Sequence, residues 1–143
     1  MQPNEKDDQL IALLRENGRM PVSEMARRLN MSRTATQMRL AKLERNGVIE
    51  GYSVRLSPQY LQNRIRALVM IKFPPARRAS IETALTAMPQ TTSLYSISGT
   101  FDLAAVLSAP NMDVLDATID RIGCLDGIGE TMSSIILSTK IDR

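Results

Sequence analysis

An α+β fold in two parts is predicted by three features of this 143-residue chain. Residues 4–47 carry helical periodicity alone, cut into three segments at Asn17-Gly18 and at Asn30-Met31-Ser32. From residue 66 onward, apolar and β-branched runs alternate with two helical segments in the order β-α-β-β-α-β, the pattern of a ferredoxin-like split unit. Between these halves lies a polar stretch opened by the turn signal Ser57-Pro58. The expected parts are a three-helix, winged helix-turn-helix domain over residues 1–56, a linker over 57–65 and a ferredoxin-like domain over 66–143.

The first helix is capped by Asn4, with Asp7 three residues on in a capping-box arrangement and Glu5 and Asp8 near its positive end. Leu10, Ile11, Leu13 and Leu14 form its apolar side. Pro21 is expected at the first position of a second helix, where its missing N–H costs nothing, and Val22, Met25, Ala26 and Leu29 make the buried stripe. Asn30 supplies the left-handed corner of a three-residue turn. A third helix then runs from the N-cap Ser32 to Gly47, with Thr36, Leu40 and Leu43 on the buried side. Arg33, Thr34, Gln37, Met38, Ala41 and Arg45 fall roughly opposite, with no acid among them. Two short helices joined by such a turn form a helix-turn-helix, the second helix entering the major groove. For an isolated segment, a solvated amphipathic helix is the competing reading. Residues 48–56 alternate and are β-branched, so a wing or an outgoing strand is expected there.

Composition bounds the partner. The net charge is only +3, but Arg19, Arg27, Arg28, Arg33, Arg39, Lys42 and Arg45 face only Glu24 and Glu44 over residues 19–45. A basic third on a near-neutral body points to nucleic acid. With no Trp, two Phe and three Tyr there is little to stack splayed bases on, so double-stranded DNA is the expected partner. No apolar run is long enough to span a bilayer, and the polar start Met1-Gln2-Pro3-Asn4-Glu5-Lys6-Asp7-Asp8 shows no signal peptide. Cys124 has no second cysteine to pair with, which fits a reducing cytoplasm and a half-buried thiol rather than a redox sensor.

The residues Asp7…Leu10-Ile11…Leu14…Gly18-Arg19, then Ser32…Arg39…Leu43-Glu44…Gly47-Val48-Ile49…Gly51-Tyr52…Leu56-Ser57-Pro58, resemble the N-terminal domain of the Lrp/AsnC (feast/famine) transcription regulators. The resemblance covers nearly the whole chain. It implies a DNA-binding surface on Ser32, Arg33, Thr34, Gln37, Met38, Arg39, Ala41, Lys42 and Arg45. Met38 and Ala41 stand where that family often carries bases, Thr36 replaces an aliphatic residue, and Gln62 stands where a glycine is customary.

In the second half, residues 67–73 form a continuous apolar run stopped by Pro74-Pro75, residues 92–98 and 102–108 read as strands joined through Gly99-Thr100-Phe101, and residues 130–140 read as the last strand. Asn111 caps a helix with Val114, Leu115, Ile119 and Ile122 inward. Both helices of this topology cover one sheet face. Leu68-Val69-Met70-Ile71 and Leu103-Ala104-Ala105-Val106-Leu107 are apolar on both faces, so a second copy of the chain is expected over the open one. The resemblance adds tetramers or octamers built from such homodimers.

Ser98-Gly99-Thr100-Phe101-Asp102 resembles that family's Gly-x-aromatic-Asp loop, which implies a small-molecule effector, an amino acid, with Thr131 and Ser133 offering hydroxyls. Physically, Gly99 permits close approach to backbone N–H groups suited to a carboxylate, and Asp102 suits an ammonium. A plain hairpin turn is the other reading. Residues 125–128 are a further expected wall, contributed by a neighbouring subunit.

Two rival classes remain at this level. Sirohaem decarboxylases share a similar two-domain arrangement, but are thought to rely on histidine, and this chain has none. It also lacks a nucleophile-base pair, a metal-ligand cluster and a phosphate-binding glycine loop, so no catalytic residues, metal or cofactor are expected. A ligand-independent architectural DNA-binding protein would share every basic residue. The reading preferred is a sequence-specific regulator modulated by a small molecule.

Overall fold

The structure is a computed structural model and describes residues 4–142; the first three residues of the polar start, Met1-Gln2-Pro3, and the terminal Arg143 lie outside the described residues. Two compact units divide between Arg55 and Leu56.

The first unit is a helical trio. Helix α1 (Glu5–Glu16) starts in a complete capping box: Asp7 N–H donates to Asn4 Oδ1 (3.1 Å) and Asn4 N–H donates to Asp7 Oδ2 (3.0 Å). Helix α2 (Val22–Leu29) begins one residue later than expected, because Pro21 is its N-cap with an extended ψ of 147° and its carbonyl accepts from Met25 N–H (3.0 Å). Asn30 takes the left-handed corner, φ 52°. Helix α3 (Arg33–Arg45) is capped by Ser32, whose Oγ accepts from Ala35 N–H (3.1 Å). Leu10, Met20, Met25, Leu29, Leu40 and Leu43 form one core. Thr36 joins them fully buried, which is affordable because its hydroxyl donates to the Ser32 carbonyl one turn back (2.9 Å).

The expected wing is not formed. Val48 and Ile49 pack against the helical core, but residues 51–56 are exposed and hold no strand. Their β-branched alternation meets no neighbouring strand in the unit, and a lone strand leaves its backbone groups to water. The expected linker is partly helical: α4 (Pro58–Leu61) is capped by Ser57, whose Oγ accepts from Tyr60 N–H (3.1 Å).

The second unit is a four-stranded antiparallel sheet in the order β2-β3-β1-β4, made of β1 (Ile65–Lys72), β2 (Thr91–Ser96), β3 (Leu103–Ala109) and β4 (Glu130–Ile135). Helices α5 (Arg78–Thr86) and α6 (Met112–Gly123) complete the βαββαβ order. Period-two alternation sends Ala67, Val69 and Ile71 with Leu103, Ala105 and Leu107 into the core against Ile81, Leu85, Leu115 and Ile122. The opposite face carries Leu68, Met70, Ala104 and Val106 in the middle, with Tyr95 and Met132 exposed on the outer strands. Strand β4 stops at Ile135 rather than reaching Lys140. Its partner β1 begins at Ile65, so after Ile136 N–H has donated to the Arg66 carbonyl (2.8 Å) there is little strand left to pair with. Leu137 is accordingly exposed. Cys124, expected to be half-buried, is exposed at the end of α6.

The tie between α1 and α3 is polar. Asp7 is buried, and its Oδ1 accepts from the Arg39 guanidinium (2.8 Å) while Oδ2 is held by Asn4 N–H. The Asn4 hydrogen bond holds its carboxyl below the ordinary carboxylate value, burial opposes this, and Arg39 adds to the lowering. A carboxyl lowered in the native state stabilises above its unfolded value, and the contribution disappears as pH falls through the native one. Asp7→Ala should cost about 1–3 kcal/mol at neutral pH through the lost cap and the charge-assisted bond. Thermal melts of both proteins should converge as the pH drops below about 4, because the wild type loses there what the variant never had.

Candidate functional site

Burying Thr36, Leu40 and Leu43 turns the opposite face of α3 outward. Thr34, Gln37, Met38, Lys42 and Arg45 are exposed there, Arg33 is exposed at the first turn, and Ala41 is half-buried. Ser32 is exposed too, but its hydroxyl oxygen serves as the cap. The structure takes Arg39 off this surface. Its guanidinium donates to Asp7 and to Asn4 Oδ1 (3.0 Å), so it braces α1 instead of extending toward a phosphate.

The basic surface is also smaller than a residue count suggests. Glu24 accepts from Arg27 (2.7 Å) and from Arg28 (2.9 Å), and these two guanidiniums hold its carboxyl down at about 2. Glu16 lies 3.4 Å from Arg28. Among the described residues, Arg33, Lys42 and Arg45 form no ion pair, so the cations of α3 left for a polyanion are these three. Glu44, the one acid of α3, accepts from the Tyr52 hydroxyl (2.7 Å). Partial burial and then this contact push the Tyr52 phenol up to about 12. Sequence reasoning missed both Asp7–Arg39 and Glu44–Tyr52. The first had a readable trace, since a capping-box Asp has one oxygen to spare; the second had none.

The other candidate surface is the β2–β3 loop. Two bonds fasten it to the end of β1, Asp102 N–H to the Ile71 carbonyl (2.9 Å) and Phe73 N–H to Asp102 Oδ2 (3.0 Å), and a third, Ile97 N–H to the Asp102 carbonyl (3.1 Å), closes the loop itself. Ser98, Gly99 and Thr100 are exposed, and Phe101 and Asp102 are half-buried. Gly99 has φ 102°, which a side chain would strain, whereas the space where a Cβ would sit is empty. Glycine is here for conformation, and it also leaves the approach open. The Asp102 carboxylate has a structural duty that its sequence position does not betray.

Thr131 pairs with Ile71 and Ser133 with Val69, on the helix-covered side of β4. Strand β1 lies between them and the loop, so Thr131 stands two strand spacings, roughly 10 Å, from β3. Residues 125–128 belong to this chain's own fold. Leu125 and Ile128 pack against the core, Asp126 pairs with Arg77 (2.8 Å), and the Arg77 side chain lies over Gly127 where a Cβ would clash. Their outer surface stays available, since the Asp126 side chain is largely exposed. Beside them, Arg78 sits over the Phe73 ring (5.3 Å) and donates to Glu82 (3.1 Å) and Ser96 (3.2 Å). The chemistry on offer is backbone N–H groups, a pre-aimed carboxylate and hydroxyls on an open shelf.

No group of three or more His, Cys, Asp or Glu side chains among the described residues is placed to hold a metal ion. No helix among them is long and apolar enough to cross a membrane.

Comparison with known proteins accounts for both units. Residues 4–44 match the AsnC-type helix-turn-helix domain, and residues 66–143 match the Lrp/AsnC ligand binding domain. The transcriptional regulator LysM of Saccharolobus solfataricus is 30% identical over 137 residues, covering 95% of this chain and 94% of its own. E. coli AsnC shares the fold, with a TM-score of 0.86 at 23% identity, over 100% of this chain and 97% of that one. So does a transcriptional regulator from Neisseria meningitidis solved in complex with L-methionine, with a TM-score of 0.87 at 21% identity over 99% and 94%. The relatives are regulators, not enzymes, and the chain pairs a DNA-binding helix-turn-helix with a ligand-binding domain in their order. The chain belongs to the Lrp/AsnC family of transcription regulators.

Proposed function

We propose that this regulator binds specific duplex sites through the outer face of α3, works in the cytoplasm as a dimer or larger assembly, and changes its DNA affinity when a free amino acid occupies the Ser98–Asp102 loop. The observation that carries the effector reading is the loop itself. A glycine-permitted backbone with exposed N–H groups stands beside a carboxylate whose orientation is set by Phe73 N–H, which complements the carboxylate and ammonium of one zwitterion. The methionine bound by the Neisseria regulator supports the ligand class. The half-apolar open sheet face supports the dimer, since Leu68, Met70, Val106 and Met132 lie there together.

Such a ligand alters DNA affinity only by binding one assembly state better than another. The coupling is then reciprocal, about 1–3 kcal/mol in each direction. Asp102→Asn is the cleaner variant than Asp102→Ala, because the amide oxygen still accepts from Phe73 N–H while the charge is lost. Calorimetry with the twenty amino acids should show one or a few binding to the wild type and none to Asp102→Asn. Equal binding to both moves the site elsewhere, and no binding to the wild type leaves a ligand-independent architectural protein. Light scattering at micromolar concentration should give at least twice the chain mass of 15.9 kDa, and a single species at that mass removes the dimer.

For DNA, Gln37 is the side chain able to pair two-pronged with adenine. Gln37→Ala should cost about 1–3 kcal/mol on a cognate site and little on random duplex. Lys42→Ala and Arg45→Ala should weaken both alike and reduce the salt slope, whereas Arg39→Ala should lower the melting temperature with a smaller change in that slope. Equal losses on cognate and random DNA for Gln37→Ala refute direct readout by that residue.

A further inference from the structure

We infer that the centre of the α3 face reads thymine through its C5-methyl group, with Met38 as the contact and the methyls of Thr34 and Ala41 beside it. This rests on the reading of α3 as the DNA-contact helix. Met38 is 68% exposed, on the side opposite the buried Thr36, Leu40 and Leu43. Its neighbours on the surface one turn away are Thr34 and Ala41, at spacings of four and three. Among Arg33, Gln37, Lys42 and Arg45 this outward side thus presents the exposed Met38 side chain, with the Thr34 methyl and the half-buried Ala41 beside it. The acid that shares the helix, Glu44, accepts from the Tyr52 hydroxyl and pairs with none of these cations.

The charges identify the occupant. Cations flank this cluster, which suits a surface bounded on both sides by phosphates, and the groove floor between them meets the apolar centre. There a thioether offers almost no hydrogen bonding to the O6, N7 and N4 groups of a G·C pair, and covering those groups without partners is unfavourable. The apolar feature of the major groove is the thymine C5-methyl. A helix with bases at these positions would hold phosphate or guanine; a helix with Met38 and Ala41 is suited to thymine. The half-site therefore contains thymine beside the base that faces Gln37.

The test uses the full-length protein. Selection from a random duplex pool should enrich half-sites with one or more fixed A·T pairs. Replacing each enriched thymine by uracil, which differs only by loss of the methyl, should weaken wild-type binding about fourfold at the contacted position. Met38→Ala should bind thymine and uracil duplexes nearly equally, at the wild-type affinity for uracil, with an unchanged melting temperature. Met38→Leu should restore part of the difference. Uracil replacements that are neutral everywhere, or a thymine preference that survives undiminished in Met38→Ala, overturn the inference while leaving sequence-specific binding intact. A pool that yields no enriched sequence overturns both together.

Discussion

The placement of α3 in the helix-turn-helix depends on one carboxylate. Asp7 caps α1 through Asn4 and, with its other oxygen, accepts from Arg39 in the middle of α3, and Arg39 also reaches Asn4 Oδ1. A hydrophobic core alone sets distance and approximate angle between short helices, since Leu10, Leu40 and Leu43 tolerate small rotations of one helix on another. Directed bonds from a capping box to a neighbouring helix do not tolerate them. Lys6 adds a second fastening, donating to the Leu29 carbonyl at the end of α2 (3.1 Å). Asp7 is buried but Arg39 stays partly exposed, and each carboxylate oxygen accepts one bond, so the pair keeps part of its hydration while its directed bonds specify geometry.

That brace changes the electrostatic account of the whole unit. Seven cations between residues 19 and 45 suggest a broad polyanion surface, but Arg39 faces inward to Asp7, and Arg27 and Arg28 share Glu24. The charge that remains unpaired on α3 is narrow and lies along its outward flanks. In the proposed DNA complex such a surface would supply limited sequence-independent affinity, so the composition of the central strip would weigh more heavily in what the helix prefers.

Helix limits and the sheet order were legible because they are local or combinatorial. Asn4, Ser32 and Asn111 cap where their spacing says they should, and the strand and helix alternation admits few topologies. The misreadings of Arg39, residues 51–56 and β4 share one cause: they needed a partner that sequence proximity does not reveal. Arg39 looks like any surface arginine until Asp7, 32 residues away, is placed beside it. Residues 51–56 have strand-like alternation but no strand to pair with. The length of β4 is set by where β1 begins, not by the apolar run Ile135-Ile136-Leu137. At the loop, Gly99 was readable from its turn context, while the bond from Phe73 N–H to Asp102 was not, because it joins residues 29 apart.

Few free cations and a short reading surface together shape how such a chain gains useful affinity. Each phosphate neutralised steepens the salt dependence and adds to binding, and one helix-turn-helix with this charge distribution has few to neutralise. Joining two copies turns the second contact into an intramolecular one, and the gain is then set by geometry instead of by further contacts. The proposed regulation through assembly would consequently be effective here in a way it would not be for a strongly basic domain, which would hold DNA whatever its neighbours did. A ligand on the sheet unit need never approach α3. In the proposed mechanism it has only to change how many copies of α3 are presented together, and a weak single contact would convert that change into a large difference in occupancy.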